Sequence, residues 1–414
     1  MLEGQVRRPA LPAFPRHRFT VYRGLLKREG RAVYSPLLYT QQPSSSTDLP
    51  YLVYFEIPSR SSRTCTILSF SQHTIMLNGH SEQDSPSPQD STMADNISIS
   101  DEEYPEWFIQ RHGRDFHKIP SPYFLPADRR EMERLNIQHR LLKQLLNGNI
   151  FGPMAALLVD VPGREKRVVD LGSGSGIWAE EMALAFPHVK FIGIDLVPTA
   201  TQYPPSNAQF ECYDFLAGPG LRCRDASIDA IHARCITSGV NDYARLAQES
   251  LRALLPGGGF HSAELDFRPE FMTVRNGSLP IPATREVIRR MIELVPQALA
   301  PPSIPSALET AGFTEVTSNV EWVPIGDWMN TDRMKTIGRT ARSCLVELVN
   351  ALSPALIDQA IEVAGAVPGA VVEVVAEVAA KEVDDLLTRA GGEITALDAE
   401  VSIPYHLVHA RRPS

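Results

Sequence analysis

Between residues 167 and 268, short apolar runs alternate with segments whose apolar positions recur every three or four residues. Residues 167–171, 190–194, 207–212, 228–233 and 260–265 have the composition of strands. Residues 176–186 and 242–255 have helical spacing, the second closed by Pro256-Gly257-Gly258-Gly259. Such alternation predicts an α/β fold, doubly wound, with helices on both faces of a parallel sheet. Upstream, Met132, Leu135, Leu142, Leu145 and Leu146 keep near-helical spacing across 128–147, with Gly148 as a stop. Downstream, helices are expected over 283–299, 305–311, 333–352, 354–364 and 370–390, and strands at 313–322 and 401–410. No repeat with a period of roughly 20–50 residues is evident. No apolar run reaches the roughly 18–20 residues of a membrane span. The richest stretch, 355–380, is interrupted by Glu362, Pro368, Glu373 and Glu377.

Charge and composition narrow the picture. The 414 residues carry 40 Lys and Arg against 49 Asp and Glu, and a net charge of −9 argues against a general nucleic-acid binder. Cys65, Cys212, Cys223, Cys235 and Cys344 form no C-x-x-C pair, which reads as a reduced intracellular protein without a metal site. The 33 prolines are uneven: residues 1–92 hold nine of them, with thirteen serines, and 44–46 and 84–90 read as linker. Runs 51–57 and 64–70 are strand-like there, with nothing nearby to complete a sheet. Residues 1–92 are therefore expected to be a disordered leader, or no part of the native protein, since Met93 opens a new texture and would serve as a start. The basic first 31 residues have the charge balance of a transit peptide, but prolines interrupt any amphipathic helix. After the leader the expected order is an adaptor with one helix (93–150), a ligand-binding core (151–280), and a helical cap with the last strands (281–414).

The candidate chemistry centres on Val168-Val-Asp-Leu-Gly-Ser-Gly-Ser-Gly-Ile-Trp178, a strand, a glycine turn and a helix that bring backbone close to a ligand. Gly172, Gly174 and Gly176 are spaced G-x-G-x-G around Ser173, unlike the G-x-G-x-x-G of dinucleotide folds. Asp170 precedes the first glycine by two residues, where its carboxylate repels a pyrophosphate and favours an ammonium and a sulfonium. The pattern points to S-adenosylmethionine rather than NAD. Asp195, at the end of the next strand, can accept both ribose hydroxyls. Asp214, ending the third strand, can accept the adenine amino group while Phe215 packs on the ring. Arg234, ending the fourth, pairs either with an internal carboxylate or with the cofactor's methionine carboxylate.

Together these residues resemble the class I S-adenosylmethionine-dependent methyltransferases, and the likeness extends past the core. Tyr123-Phe-Leu-Pro-Ala-Asp128, Glu131, Arg134-Leu135, Gln138-His139 and the loop ending at Trp178 are similar to the fungal LaeA/UMTA-like group. That group reads Y-x-L-P-N-D-x-x-E-x-x-R-L-x-x-Q-H and then L-D-x-G-T-G-T-G-I-W. Ile231-His-Ala-Arg234, Leu255-Pro-Gly-Gly258, Pro324-Ile-Gly-Asp-Trp328 and Val408-His-Ala-Arg-Arg-Pro413 follow in the same order, so the resemblance spans about residues 104–413. Ala127 stands for the usual Asn, Ser173 and Ser175 for threonines, and His261 for a Glu, with Gly259 in place of Trp.

The resemblance implies a Rossmann-like, seven-stranded sheet with a helical cap over the acceptor. It implies methyl transfer from S-adenosylmethionine to a small-molecule acceptor, in fungal secondary metabolism and in the cytoplasm. It also admits a LaeA-like nuclear regulator acting through protein partners; neither nucleic acid nor membrane is expected as a partner. In-line methyl transfer needs alignment more than proton transfer. Where the acceptor is a phenol, enol or carboxylic acid, His232, His261 and Glu264 at strand ends are the candidate bases, with His139 reaching from the adaptor. His261→Ala is expected to lower turnover with cofactor binding retained. Met291, Trp322, Trp328, Met329 and Met334 are candidates for the acceptor lining.

Overall fold

Helix α1 (Arg129–Leu146) begins the part of the chain that builds the site, and its ends follow from its sequence. Asp128 caps it by accepting the Glu131 N–H, and Asn147 takes the left-handed conformation (φ 56°) that ends it, one residue before the glycine expected to do so. The computed structural model describes residues 103–200, 203–268, 281–296, 300–365, 372–397 and 399–414, together with the backbone of a few short strands elsewhere. Two units are distinguished, Met1–Ser91 and Thr92–Ser414. In the first, Phe19–Tyr22, Leu38–Gln41, Leu52–Phe55 and Thr66–Ser69 pair antiparallel in that order, so the two strand-like runs pair with each other. The other residues on which the leader expectation rests, apart from a hairpin of Leu25–Arg28 with Arg31–Tyr34, lie outside the described ones.

In the second unit the alternation read from the sequence becomes β1 (Lys166–Leu171), α2 (Ile177–Ala185), β2 (Val189–Asp195), β3 (Ala208–Cys212) and β4 (Ile228–Arg234). Then come α3 (Tyr243–Ala253) and β5 (Leu254–Leu265), which starts six residues earlier than expected and runs through the Pro256–Gly259 turn residues. The C-terminal region holds α4 (Pro282–Glu293), α5 (Ile304–Ala311), β6 (Thr314–Ile325), α6 (Asp332–Ala351), α7 (Ser353–Gly365), α8 (Val372–Thr395) and β7 (Val401–Arg411). The sheet order is β3-β2-β1-β4-β5-β7-β6. Strands β3 to β5 are parallel, and β7 runs antiparallel between β5 and β6. The two-residue strand Thr273–Val274 adds to the end of β7.

Successive residues of β1 face opposite layers. Val168 packs with Trp178, Met182 and Phe191 under α2, while Val169 and Leu171 pack with Leu246, Phe260 and Leu308 under α3 and α5. This is the doubly wound, Rossmann-like arrangement that the sequence predicts, and it puts the crevice at the carboxyl ends of β1, β2 and β4. The cap is built by α4, α6, α7 and α8 over the β6–β7 end. Leu141 and Leu142 of α1 join that same core, and α1 packs on α6, so the adaptor helix is part of the cap. The stretch Asp332–Gly365 is apolar and long enough to cross a membrane by composition alone; 56% of its most apolar window is buried inside the fold.

Candidate functional site

The loop after β1 is held by the acid that ends β2. Asp195 Oδ2 accepts the Gly174 N–H at 2.7 Å, and its Oδ1 accepts the Leu196 N–H at 2.7 Å. Burial nevertheless raises the Asp195 pKa, against the pull of these two donors. Gly174 (φ 56°) has the backbone conformation that side chains disfavour, and a Cβ there would sit 3.1 Å from Leu135 of α1. Ser175 Oγ donates to Asn136 Oδ1 at 2.5 Å, so α1 closes directly onto the loop.

Above the strand ends lies a cavity of about 460 Å³. Asp170, Gly172, Ser173, Gly174, Asp195, Asp214, Phe215 and Arg234 all line it, as the sequence predicts for a cofactor site. Gly176 does not. It caps α2 at φ 78°, and a Cβ would meet the Phe210 ring at 2.6 Å and Ala200 at 2.9 Å, so packing demands this glycine. Asp214 lies two residues beyond the end of β3, in a turn where its Oδ1 accepts the Leu216 N–H. Three carboxylates therefore border a loop of bare backbone, a donor and acceptor set that fits a nucleoside carrying positive charge. Asp195 would hold the ribose of S-adenosylmethionine, Asp214 and Phe215 the adenine, and Asp170 the cationic end.

Of the candidate bases, Glu264 reaches the cavity and two histidines do not. Glu264 sits one residue from the end of β5, where Oε1 accepts the Ile236 N–H at 2.9 Å and Oε2 the Thr237 hydroxyl at 3.0 Å. Burial pushes its pKa up to about 7 despite those donors. His232 and His261 correct the expectation of strand-end bases. They are paired neighbours in mid-sheet, in one row with Asp170 and His409. His232 hydrogen-bonds Asp170 Oδ1 at 2.7 Å and stacks on Trp178 at 3.7 Å. His261 is fully buried with neither ring nitrogen hydrogen-bonded, and burial lowers its pKa to about 3, helped by His232 and His409. Both rings are held neutral inside the sheet, away from any acceptor.

Of the polar stripe of α1 the sequence assigned a role to His139 alone, as a base reaching from the adaptor, although the whole motif was visible. Glu131, Arg134, Gln138 and His139 recur on one helical face, and the last three line the cavity. Arg134 and Glu131 form a buried ion pair at 2.6 Å, and Arg134 Nη1 donates to Gln138 Oε1 at 2.8 Å. From the cap, Met291, Ile292, Val295 and Leu348 add an apolar wall with Phe124 and Leu125. Met291 is thus the one acceptor-lining candidate placed there; Trp322 is 41% exposed on β6. Among the described residues no cluster of His, Cys, Asp and Glu could hold a metal ion.

Residues 141–316 match the Methyltransferase domain family. Methyltransferase pytC of Aspergillus terreus is 30% identical over 290 residues, covering 68% of this chain and 84% of that protein. The secondary metabolism regulator laeA of Monascus pilosus is 28% identical over 269 residues, covering 64% and 71%. A solved phosphoethanolamine N-methyltransferase 2 of Haemonchus contortus, in complex with S-adenosyl-L-methionine, superposes with a TM-score of 0.38 at 16% identity. It covers 72% of this chain, which spans less than two thirds (62%) of that one. With glycine loop, acidic strand ends and adaptor motif in one order, and a relative this similar, the chain belongs to the fungal LaeA-like family of class I S-adenosylmethionine-dependent methyltransferases.

Proposed function

We propose that this methyltransferase modifies a small-molecule acceptor of fungal secondary metabolism, in the cytoplasm. The observation that carries the reading is the cavity, in which the loop and its carboxylates share one space with an apolar wall from α4, α6 and the segment before α1. A site of this kind suits a ligand with an apolar body and a few polar groups. The relatives' names, a methyltransferase and regulators of secondary metabolism, support the same setting.

Bound there, the cofactor supplies a methyl group activated on a sulfonium. The chain supplies position: the loop backbone and Asp195 fix one partner, and the cap side chains hold the other and exclude water. Such positioning is worth about 7–11 kcal/mol of barrier. Where the acceptor carries a proton, Glu264 takes it, since a carboxyl with a pKa of about 7 suits a general base near neutrality.

Comparative metabolite profiling of a deletion strain tests the reading. One product that accumulates without its methyl group, and is methylated by purified protein with S-adenosylmethionine, supports it. Loss of many unrelated metabolites with no demethylated product overturns it in favour of nuclear regulation through protein partners.

A further inference from the structure

Arg234 ends β4 at the cavity wall, and among the described residues it forms no ion pair. Its Nη2 lies 3.0 Å from Nδ1 of His139, which α1 brings to the same wall. A guanidinium only donates, so Nδ1 accepts and the ring proton sits on Nε2. That Nε2 lies 3.1 Å from Oε2 of Glu181 on α2. The same oxygen accepts the Lys143 ammonium at 2.6 Å and the Asn149 amide at 2.8 Å. Burial works to raise the Glu181 pKa, but these three donors prevail and hold it at about 2. Burial, then the Arg234 charge, lowers the His139 pKa to about 4, so the imidazole is neutral. Glu181, His139 and Arg234 therefore form one directed chain from α2 through α1 to β4.

We propose that Glu181 and His139 are positioning residues that hold the Arg234 guanidinium toward the carboxylate of the cofactor's methionyl group. The proposal rests on the cofactor reading of the cavity. Five acidic side chains, Asp170, Asp195, Asp214, Glu264 and Asp266, line that cavity, and a flexible arginine would turn to the nearest of them. An acid in place of His139 would fix the guanidinium but cancel its charge. A neutral imidazole with an enforced tautomer fixes the plane and leaves the full positive charge for an anionic group on the ligand.

Calorimetry on the full chain with two ligands tests this. S-adenosylhomocysteine and 5′-methylthioadenosine share the adenosine and the thioether, and only the first has the amino-acid end. In His139→Phe and Glu181→Ala, affinity for S-adenosylhomocysteine falls roughly tenfold, the scale of a displaced charged hydrogen bond. Affinity for 5′-methylthioadenosine stays within about twofold, as for independent sites. His139→Asn, which restores an acceptor, recovers part of the loss. Glu181 is a third exposed, so its variant remains informative if His139→Phe does not fold. Equal losses for both ligands, or none for either, overturn the relay. Unchanged S-adenosylhomocysteine binding in Arg234→Met overturns the role of Arg234 itself. A wild-type chain that binds neither ligand overturns the cofactor reading.

Discussion

Asp195→Ala removes a buried carboxylate that serves the loop and the ligand at once. In the fold its two oxygens each accept one backbone N–H, from Gly174 and Leu196, both at 2.7 Å. Asp195 also lines the cavity, where the ribose hydroxyls would donate to it. Hydrogen bonds to a charged acceptor contribute about 1.5–3 kcal/mol each, so two ribose contacts are worth about 3–6 kcal/mol. At about 1.4 kcal/mol per tenfold, the affinity for S-adenosylhomocysteine falls roughly 10²- to 10⁴-fold. The loop also loses its anchor, and each unpartnered N–H costs about 1–3 kcal/mol, so the ligand-free protein melts earlier. Isothermal titration calorimetry gives the affinity, and a thermal melt in parallel gives the stability. A folded Asp195→Ala protein with wild-type affinity for S-adenosylhomocysteine would falsify the cofactor placement.

Three further outcomes follow from buried polar groups. The Glu264 carboxyl, raised to about 7 from its ordinary 4.5, keeps in the fold a proton that the unfolded chain has released. Stability therefore declines between about pH 4.5 and 7, by on the order of 3 kcal/mol, and urea unfolding of Glu264→Gln shows a flatter profile; equal slopes in both proteins refute the shift. His261→Leu removes two unsatisfied buried nitrogens and gains roughly 1–3 kcal/mol in thermal melts. Its turnover matches wild type, and a fall in turnover without loss of stability contradicts the placement of His261 away from the acceptor. Glu131→Ala leaves Arg134 buried and unpaired, costing about 3–5 kcal/mol in urea unfolding, whereas the pair replaced by two methionines regains most of it. A loss below about 1 kcal/mol in the single variant shows that water reaches the guanidinium.

The elements were legible where local pattern decides them. The runs at 167–171, 190–194 and 228–233 became β1, β2 and β4 almost to the residue, because strands buried on both faces are simply apolar. The loop was legible because its glycines and the acids that end β1 and β2 stand at fixed places in the strand–turn–helix pattern. Depth was not. His232 and His261 looked like strand-end groups, yet β5 begins at Leu254, six residues before the expected start, which puts His261 in mid-strand beside His232. Gly176 resembled its neighbours, and only the arrival of Phe210 from β3 shows that packing fixes it. The role of α1 was hidden by distance: His139 and Arg234 are separated by 95 residues, and the helix's apolar stripe advertised only its packing side.

The position of β7 governs the order in which the molecule can assemble. It lies between β5 and β6, and pairs Arg411 with Gly259, about 150 residues earlier in sequence. While the chain emerges during synthesis, β1 to β5 can dock through short crossovers, but the far edge of β5 stays open until the whole cap has been made. That edge is Phe260, His261, Ser262 and Ala263, all fully or almost fully buried once β7 arrives. Docking of β7 seats Tyr405 and Leu407 in the cap core and completes the sheet together, coupling the acceptor wall to the cofactor strands. A nascent chain stalled before β7 would present the unpaired backbone of β5, a strand edge open to pairing with another chain.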